Sequence, residues 1–163
     1  MKRTSLAGDE CPIARALDVF GDWWSLLIIR DAMLGRRRFG EFQASLGLAK
    51  NILTTRLRAL IERGILTTVP ASDGSVYQDY VLTPKGRGLF PIMVALRQWS
   101  EEFDDTPEEI DTVMVDRVKG RPVKKLELRA EDGRLLGQGD TVLKPRPRRG
   151  RSAAARSTLS PSS

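Results

Sequence analysis

Histidine is absent from this chain of 163 residues, and cysteine occurs once, at Cys11. The lack of histidine excludes Ser-His-Asp and Cys-His nucleophilic systems and any zinc site that uses histidine. A single cysteine excludes an internal disulfide framework and agrees with a reducing compartment. The sequence has no GxGxxG or GxxxxGK[ST] phosphate loop, and no pair of carboxylates stands out. We therefore expect no enzymatic activity, no cofactor and no metal site.

Long hydrophobic runs are also absent. No apolar segment approaches the roughly 20 residues that are needed to cross a bilayer. The first twelve residues carry two cations but lack the apolar region of a secretory signal. We expect a cytoplasmic protein that does not bind membranes.

Negative charge is missing from the last part of the chain, where six cations lie between Lys144 and the end. The rest of the chain is neutral overall, so the net charge of +6 comes from this tail. Within the neutral part, residues 36–63 hold seven cations against two anions. A local excess of this kind favours contacts with the phosphates of a nucleic acid.

The region with this excess has the pattern of two short helices joined by a turn. Leu53, Leu57, Leu60 and Ile61 recur at helical spacing and predict one buried face. A shorter amphipathic helix precedes them, and the connection at residues 46–49 contains a glycine. This pattern predicts a helix-turn-helix in which residues 49–63 form the recognition helix, placed in the DNA major groove.

The flanking segments predict a winged form of this motif. A helix is expected from Pro12 to Gly21, and a second, nearly all-apolar helix over Trp23–Leu34 with Asp22 as its cap. After Gly64, the segments 65–69 and 76–82 are typical of two strands joined by a turn at Asp73-Gly74. A last helix is predicted over residues 84–103, and its long apolar face indicates a partner subunit.

Motifs in fixed order give the chain a resemblance to HxlR-type winged helix-turn-helix regulators. They include Cys11-Pro12-Ile13, Gly21-Asp22-Trp23-Trp24, Arg38-Phe39-Gly40-Glu41-Phe42 and Asp79-Tyr80-Val81-Leu82-Thr83-Pro84-Lys85-Gly86. The resemblance covers residues 11 to about 103 and implies a bacterial transcription factor that binds an inverted repeat as a homodimer. It further implies dimerisation through the N-terminal and last helices. The dimer-interface candidates are Ile13, Leu17, Leu89, Met93, Leu96 and Trp99.

The polar face of the recognition helix supplies the residues that we expect to read bases. An arginine can pair with guanine, an asparagine with adenine, and a threonine methyl can meet the thymine methyl. The base-reading candidates are Lys50, Asn51, Thr54, Thr55 and Arg58, and the phosphate-binding candidates are Arg36, Arg37, Arg38 and Arg56. Arg56 could instead brace the fold against a carboxylate. The wing has no cation between Val69 and Thr83, which argues against a strong contact with the minor groove.

The fold class is therefore mainly α with a β-hairpin wing, followed by a small C-terminal extension and a basic tail. Residues 1–10 are expected to form a flexible arm, residues 11–103 the winged helix-turn-helix domain, and residues 104–111 an acidic linker. Residues 112–143 are typical of short strands that cannot form a core unaided, and residues 144–163 are expected to be disordered.

Two other functions remain open at this point. The winged helix could be a protein-interaction module without specific DNA readout. Alternatively, Cys11 at a helix N-terminus could sense an oxidant or electrophile, although Asp9 and Glu10 oppose a thiolate there. A small-molecule effector is also possible, but no residue pattern indicates its chemistry.

Overall fold

The computed structural model describes residues 6–71, 73–103 and 112–145. These residues fall into two compact units, with the boundary between Lys124 and Lys125. The expected linker at 104–111, residues 1–5 of the expected arm and the tail from residue 146 onward lie outside the described residues. In the described part of the chain, no helix is both long enough and apolar enough to span a bilayer.

The first unit contains the helices and the hairpin of a winged helix-turn-helix, which confirms the predicted fold class. Gly47 ends the first helix of the motif in the left-handed conformation, with φ of 64°. Asp22 caps the second helix as predicted, because its carboxylate accepts a hydrogen bond from the Ser25 N–H at 3.0 Å. The elements are α1 (Pro12–Phe20), α2 (Trp23–Met33), α3 (Phe39–Leu46), α4 (Lys50–Glu62), β1 (Leu66–Pro70), β2 (Gln78–Leu82), α5 (Pro84–Arg87) and α6 (Phe90–Phe103).

The inner face of α4 lies at the centre of the hydrophobic core. Leu53, Leu57 and Leu60 are each at most 1% exposed, and they share the core with Phe42 of α3. Ile61 was expected on the same face but is 37% exposed. One step along a helix turns a side chain by about 100°, so Ile61 lies at the edge of the buried face that Leu53, Leu57 and Leu60 form.

The hairpin is antiparallel, with Leu66 opposite Leu82 and Pro70 opposite Gln78. The predicted second strand began at Val76, but β2 begins two residues later. Residues up to Tyr77 belong to the connecting turn, which the Ala71 N–H closes by donating to the Tyr77 carbonyl at 3.1 Å. The N–H of Tyr80 donates to the carbonyl of Arg37 at 2.8 Å, so β2 also contacts the segment before α3.

The single helix that the sequence predicts over residues 84–103 is in fact two helices. Pro91 has no N–H to continue a helical ladder from α5, but it fits the first turn of α6. Gly86 in α5 lies so close to the strand that a Cβ there would be 2.2 Å from the Ile65 carbonyl oxygen. The short α5 therefore packs tightly against the base of the hairpin, and it ends before α6 begins.

This break also corrects one interface candidate. Leu89 follows α5 directly and is only 8% exposed, because it joins the core of its own subunit. It therefore packs inside the domain and does not belong to the surface that was predicted to meet a partner.

Residues 112–145 form turns closed by isolated bridges, not the short strands that were predicted. Val115 is bridged to Pro122, and Arg129 to Leu135. The Asp116 carboxylate accepts the backbone N–H groups of the first turn, and Pro122 has no N–H to extend a ladder. No residue in this described range is buried.

The first part of this range, up to residue 124, belongs to the same unit as the winged helix. Two side chains of α6 reach it: Arg97 donates to the Thr112 carbonyl, and Gln98 donates to the Lys124 carbonyl at 3.1 Å. The boundary of the compact unit consequently lies later in the chain than the expected start of the extension at residue 112.

Candidate nucleic-acid interface

The outer face of α4 exposes all five of the predicted base-reading residues. Its inner face is buried, and the same helix therefore presents Lys50, Asn51, Thr54, Thr55 and Arg58 to solvent. Arg58 makes no hydrogen bond or ion pair with any residue that the structure describes, so its guanidinium has its full set of donors available.

The two threonines satisfy their hydroxyl hydrogens within the helix. Thr54 Oγ1 donates to the Lys50 carbonyl and Thr55 Oγ1 to the Asn51 carbonyl, each at 2.8 Å. These bonds fix the side-chain rotamers and leave the hydroxyl oxygens able to accept. They explain how two poor helix formers are accommodated in the middle of α4.

Arg56 is directed to a different partner. Its Nε lies 3.5 Å from Oδ1 of Asp22, the residue that caps α2. The structure therefore shows the carboxylate brace that the sequence left open, and this ion pair links the recognition helix to α2. A phosphate contact of Arg56 remains a prediction.

The segment before α3 places the three successive arginines in three different environments. Arg36 Nη1 lies 3.4 Å from the fully buried carboxylate of Asp31, whereas the Arg37 side chain is exposed. Glu41 holds the backbone here, because its Oε2 accepts the N–H groups of Arg37 and Arg38 at 2.7 and 2.8 Å. These backbone hydrogen bonds lower the pKa of Glu41.

Arg38 forms a cluster with the wing, which we call the wing latch and define as Arg38, Asp73, Ser75 and Asp79. Arg38 Nη2 lies 2.8 Å from Asp73 Oδ2, and Nε lies 2.6 Å from Asp79 Oδ1. The second contact is a close ion pair without the alignment of a hydrogen bond. Arg38 Nη1 also donates to Ser75 Oγ at 3.3 Å.

The ionisation of Asp73 reflects these contacts. Hydrogen bonds from the Ser75 hydroxyl and N–H, followed by that from Arg38, lower the pKa of Asp73 to about 2. The bond to Asp73 in turn raises the pKa of Arg38. Both groups are therefore charged at neutral pH.

The carboxylates of this region are the residues that sequence reasoning missed. Glu41 lies three residues after the cap position of α3, which is the spacing of a capping box. Asp79 is 3% exposed within a strand, and a buried carboxylate requires a cationic partner. The spacing of Glu41 was visible in the sequence, whereas the burial of Asp79 was not, and neither residue identified Arg38 as a partner.

The predicted dimer surface remains largely uncovered in the described residues of one subunit. Ile13 is 70% exposed and Trp99 is 56% exposed, and Leu17 and Leu96 are exposed as well. Met93 is half-buried and lines a groove of about 730 Å³ between α2 and α6. Trp23 also lines this groove and is 72% exposed.

Cys11 lies at the start of α1, and its thiol is exposed. The Cys11 N–H donates to the Asp9 carboxylate at 2.8 Å, which places a negative charge near the thiol. The exposure leaves the sulfur accessible to a reagent or to a second chain.

Comparison with known proteins identifies the family. Residues 19–108 match the HxlR-like helix-turn-helix family. The chain belongs to that family. The HxlR-like match covers the helix-turn-helix and the wing. Proteins of this kind are transcriptional regulators with a DNA-binding helix-turn-helix.

Individual HxlR-like relatives agree with this assignment. The chain is 43% identical over 96 residues to MT3179 of Mycobacterium tuberculosis, described as an uncharacterized HTH-type transcriptional regulator. This match covers 59% of the chain and 61% of the relative's length.

Two solved structures are also similar. The crystal structure of PA1607, described as a candidate transcription factor, is 54% identical with a TM-score of 0.81 and covers 86% of this chain and 99% of its own. The redox regulator HypR in its reduced form is 31% identical with a TM-score of 0.52, over 58% of this chain and 95% of its own.

Proposed function

We propose that this HxlR-like regulator binds a specific double-stranded DNA sequence, with α4 in the major groove, and that a homodimer recognises an inverted repeat. One observation carries the proposal. The inner leucines of α4 are buried in the core, whereas the amide, hydroxyl and cationic side chains of its outer face remain exposed.

The contacts of α4 divide its residues by role. The Arg58 guanidinium has no partner among the described residues and can donate two hydrogen bonds to guanine O6 and N7. Asn51 can pair with the adenine edge, while the threonines offer an acceptor oxygen and a methyl group. Arg56 has a carboxylate partner and contributes less to readout than Arg58.

Phosphate contacts would come from the segment before α3 and from the start of α4. The exposed Arg37 is the strongest candidate, because Arg36 and Arg38 already have carboxylate partners. No side chain caps the N-terminus of α4, so its first N–H groups suit a phosphate oxygen. Such contacts fix position without carrying sequence information.

The apolar side chains of α1 and α6 support a homodimer. Ile13, Leu17, Leu96 and Trp99 would be covered by a second copy, whose own α4 would lie about 34–36 Å away, one turn of the duplex. Trp99→Glu should shift the sedimentation of the full chain from dimer to monomer. Val118→Glu, at a residue that is 91% exposed, is the control and should leave the dimer intact.

Selection of bound duplexes from a random library tests the DNA proposal. Arg58→Ala and Asn51→Ala should each relax the preference at one base pair, at a cost of about 1–3 kcal/mol in discrimination. Arg37→Ala should weaken binding to all sequences alike and reduce the slope of log affinity against log salt by about 0.9. Arg58→Lys keeps the charge but loses the bidentate fork, so it should also lose the preference.

Unchanged base preference in both α4 variants would contradict the groove assignment. The salt series also separates the alternative of a protein-interaction module. If the chain is such a module, it should not show the duplex binding with a steep salt slope that phosphate contacts produce.

Regulation through Cys11 is a second candidate, favoured by the exposed thiol and by the likeness to HypR. Oxidation of two Cys11 thiols by a peroxide or quinone would join two chains by one disulfide, with two electrons and two protons passing to the oxidant. Cys11→Ser should then keep its DNA affinity under oxidant while the parent protein loses affinity. Equal loss in both proteins would exclude a thiol mechanism, and a small-molecule effector would become the alternative.

A further inference from the structure

The wing latch binds a cation that the sequence predicts to contact DNA. All three nitrogens of the Arg38 guanidinium face the wing, towards Asp79, Asp73 and Ser75. The wing itself brings no Lys or Arg between Val69 and Thr83. The wing therefore presents two carboxylates, and no cation, to the segment that is predicted to bind phosphate.

The two carboxylates of the latch differ in their access to solvent. The side chain of Asp79 is 4% exposed and is fixed within β2, whereas that of Asp73 is 61% exposed and lies in the wing turn. The Arg38 side chain is 27% exposed. If Arg38 lost its contact with the buried Asp79, an uncompensated charge would remain inside the fold. If it lost its contact with the exposed Asp73, that carboxylate would simply be hydrated by solvent.

We propose that Asp73 is an internal counter-ion of Arg38 that a DNA phosphate displaces, while Asp79 holds the guanidinium in position throughout. The inference rests on the proposed function. A phosphate oxygen can take the place of Asp73 Oδ2 at Arg38 Nη2, because a guanidinium donates to phosphates as it does to carboxylates. Asp73 thereby sets the affinity and the salt dependence of DNA binding from a position that reads no base.

Two measurable consequences follow from the exchange of one anion for another. Arg38 neutralised by Asp73 adds little to the effective positive charge that DNA encounters. If Asp73 is made neutral, Arg38 becomes a full phosphate ligand, so the slope of log affinity against log salt should steepen by about 0.9. Non-specific affinity at low salt should rise about three- to tenfold for the same reason.

Asp73→Asn is the variant that tests this in the full chain. Asparagine keeps an oxygen that can accept the Ser75 N–H, now 3.0 Å from Asp73 Oδ1, so the wing turn is preserved. The probe is a fluorescent random-sequence duplex of about 30 base pairs, long enough for two half-sites, titrated across a salt series. The expected result is tighter binding with a steeper slope.

A matched control separates the latch from net charge. Asp132 accepts the Arg134 N–H at 3.0 Å in the same kind of turn, and its partner cation is Arg134 instead of Arg38. Asp132→Asn removes the same charge and should leave the non-specific affinity within about twofold. An equal gain from both variants would overturn the proposal.

A second background removes Arg38 itself. Arg38→Gln combined with Asp79→Asn replaces both members of the buried ion pair, which avoids leaving one charge unpaired. Adding Asp73→Asn to this background should change affinity by less than about twofold, because no cation is released. A gain as large as in the parent protein would show that Asp73 only repels DNA, and would refute displacement.

The remaining outcomes are also decisive. If this background does not fold, Arg38→Lys replaces it, because one ammonium can pair with Asp79 but cannot span both carboxylates as a guanidinium does. If the parent protein binds the duplex and Asp73→Asn does not tighten binding, the inference is wrong and the proposed function stands. If the parent protein binds no duplex at any salt concentration, the proposed function itself fails.

Discussion

Replacement of Asp22 by alanine tests how the recognition helix is fixed to the rest of the fold. One carboxylate oxygen of Asp22 accepts the Ser25 N–H at 3.0 Å, and the other accepts the Ser25 hydroxyl. Ser25 is only 3% exposed, and Arg56 of α4 lies 3.5 Å from the same carboxylate. A single side chain thus caps α2, satisfies a buried hydroxyl and holds α4.

The cost of Asp22→Ala can be estimated from these three contacts. Loss of an N-cap costs about 1 kcal/mol. A buried hydroxyl without its partner costs about 1–3 kcal/mol. The partly exposed ion pair with Arg56 adds roughly 0.5 kcal/mol. We expect the free energy of unfolding to fall by about 2.5–4.5 kcal/mol, which corresponds to a drop in Tm of about 10 °C or more for a domain of this size.

Asp22→Asn is the matched control for this estimate. Asparagine caps helices as well as aspartate does, because its Oδ1 still accepts from the Ser25 N–H. Its amide NH2 can donate to the Ser25 hydroxyl oxygen in place of the bond that Asp22 accepts, so the main loss is the ion pair, at roughly 0.5 kcal/mol. Urea unfolding of the full chain followed by circular dichroism measures both variants. If Asp22→Asn were as destabilising as Asp22→Ala, the charge and not the cap would be the main contribution, and the reasoning would be wrong.

Two further predictions concern glycines and acid. Gly40→Ala in α3 should raise the free energy of unfolding by about 0.5–1 kcal/mol, because its Cβ would meet open space. Gly86→Ala should lower it by about 1–3 kcal/mol or more, because the Cβ would lie 2.2 Å from a backbone oxygen; equal urea midpoints for the two variants would contradict this. The folded protein lowers the pKa of Asp73 from 3.8 to about 2 and also lowers that of Glu41. These ionised carboxylates stabilise the fold at pH values above their ordinary pKa, and the stabilisation is lost as the pH falls through the lowered pKa. Glu41→Gln should therefore flatten the decline of the urea midpoint below about pH 4.5, and an unchanged decline would show that Glu41 contributes nothing to it.

The helix-turn-helix could be predicted from sequence because its determinants are local. The spacing of Leu53, Leu57 and Leu60 defines one face of α4, and a glycine in the left-handed conformation ends α3. Helical periodicity and turn chemistry act over a few residues and are visible in the order of side chains.

The errors arose where distant residues decide the outcome. A long apolar pattern predicted one helix over 84–103, yet the tight contact between Gly86 and Ile65 and the position of Pro91 divide it into two. The phosphate contact of Arg38 stays a prediction, but the sequence did not indicate the ion pairs that this arginine makes with the wing. Its carboxylate partners lie about 40 residues later, beyond the range of any periodic pattern.

The attachments of the wing also have a consequence for the order in which the protein folds. At the base of the hairpin, Thr83 Oγ1 donates to the Gly64 carbonyl at 2.6 Å across a separation of 19 residues. The bond from Arg38 to Ser75 spans 37 residues, and doubling a loop raises its closure cost by about 0.6 kcal/mol. The base of the hairpin should therefore close before Arg38 contacts the wing turn. In the folded protein, the Thr83 amide, which donates to the Ile65 carbonyl, should exchange its hydrogen more slowly than the Ser75 amide at the tip.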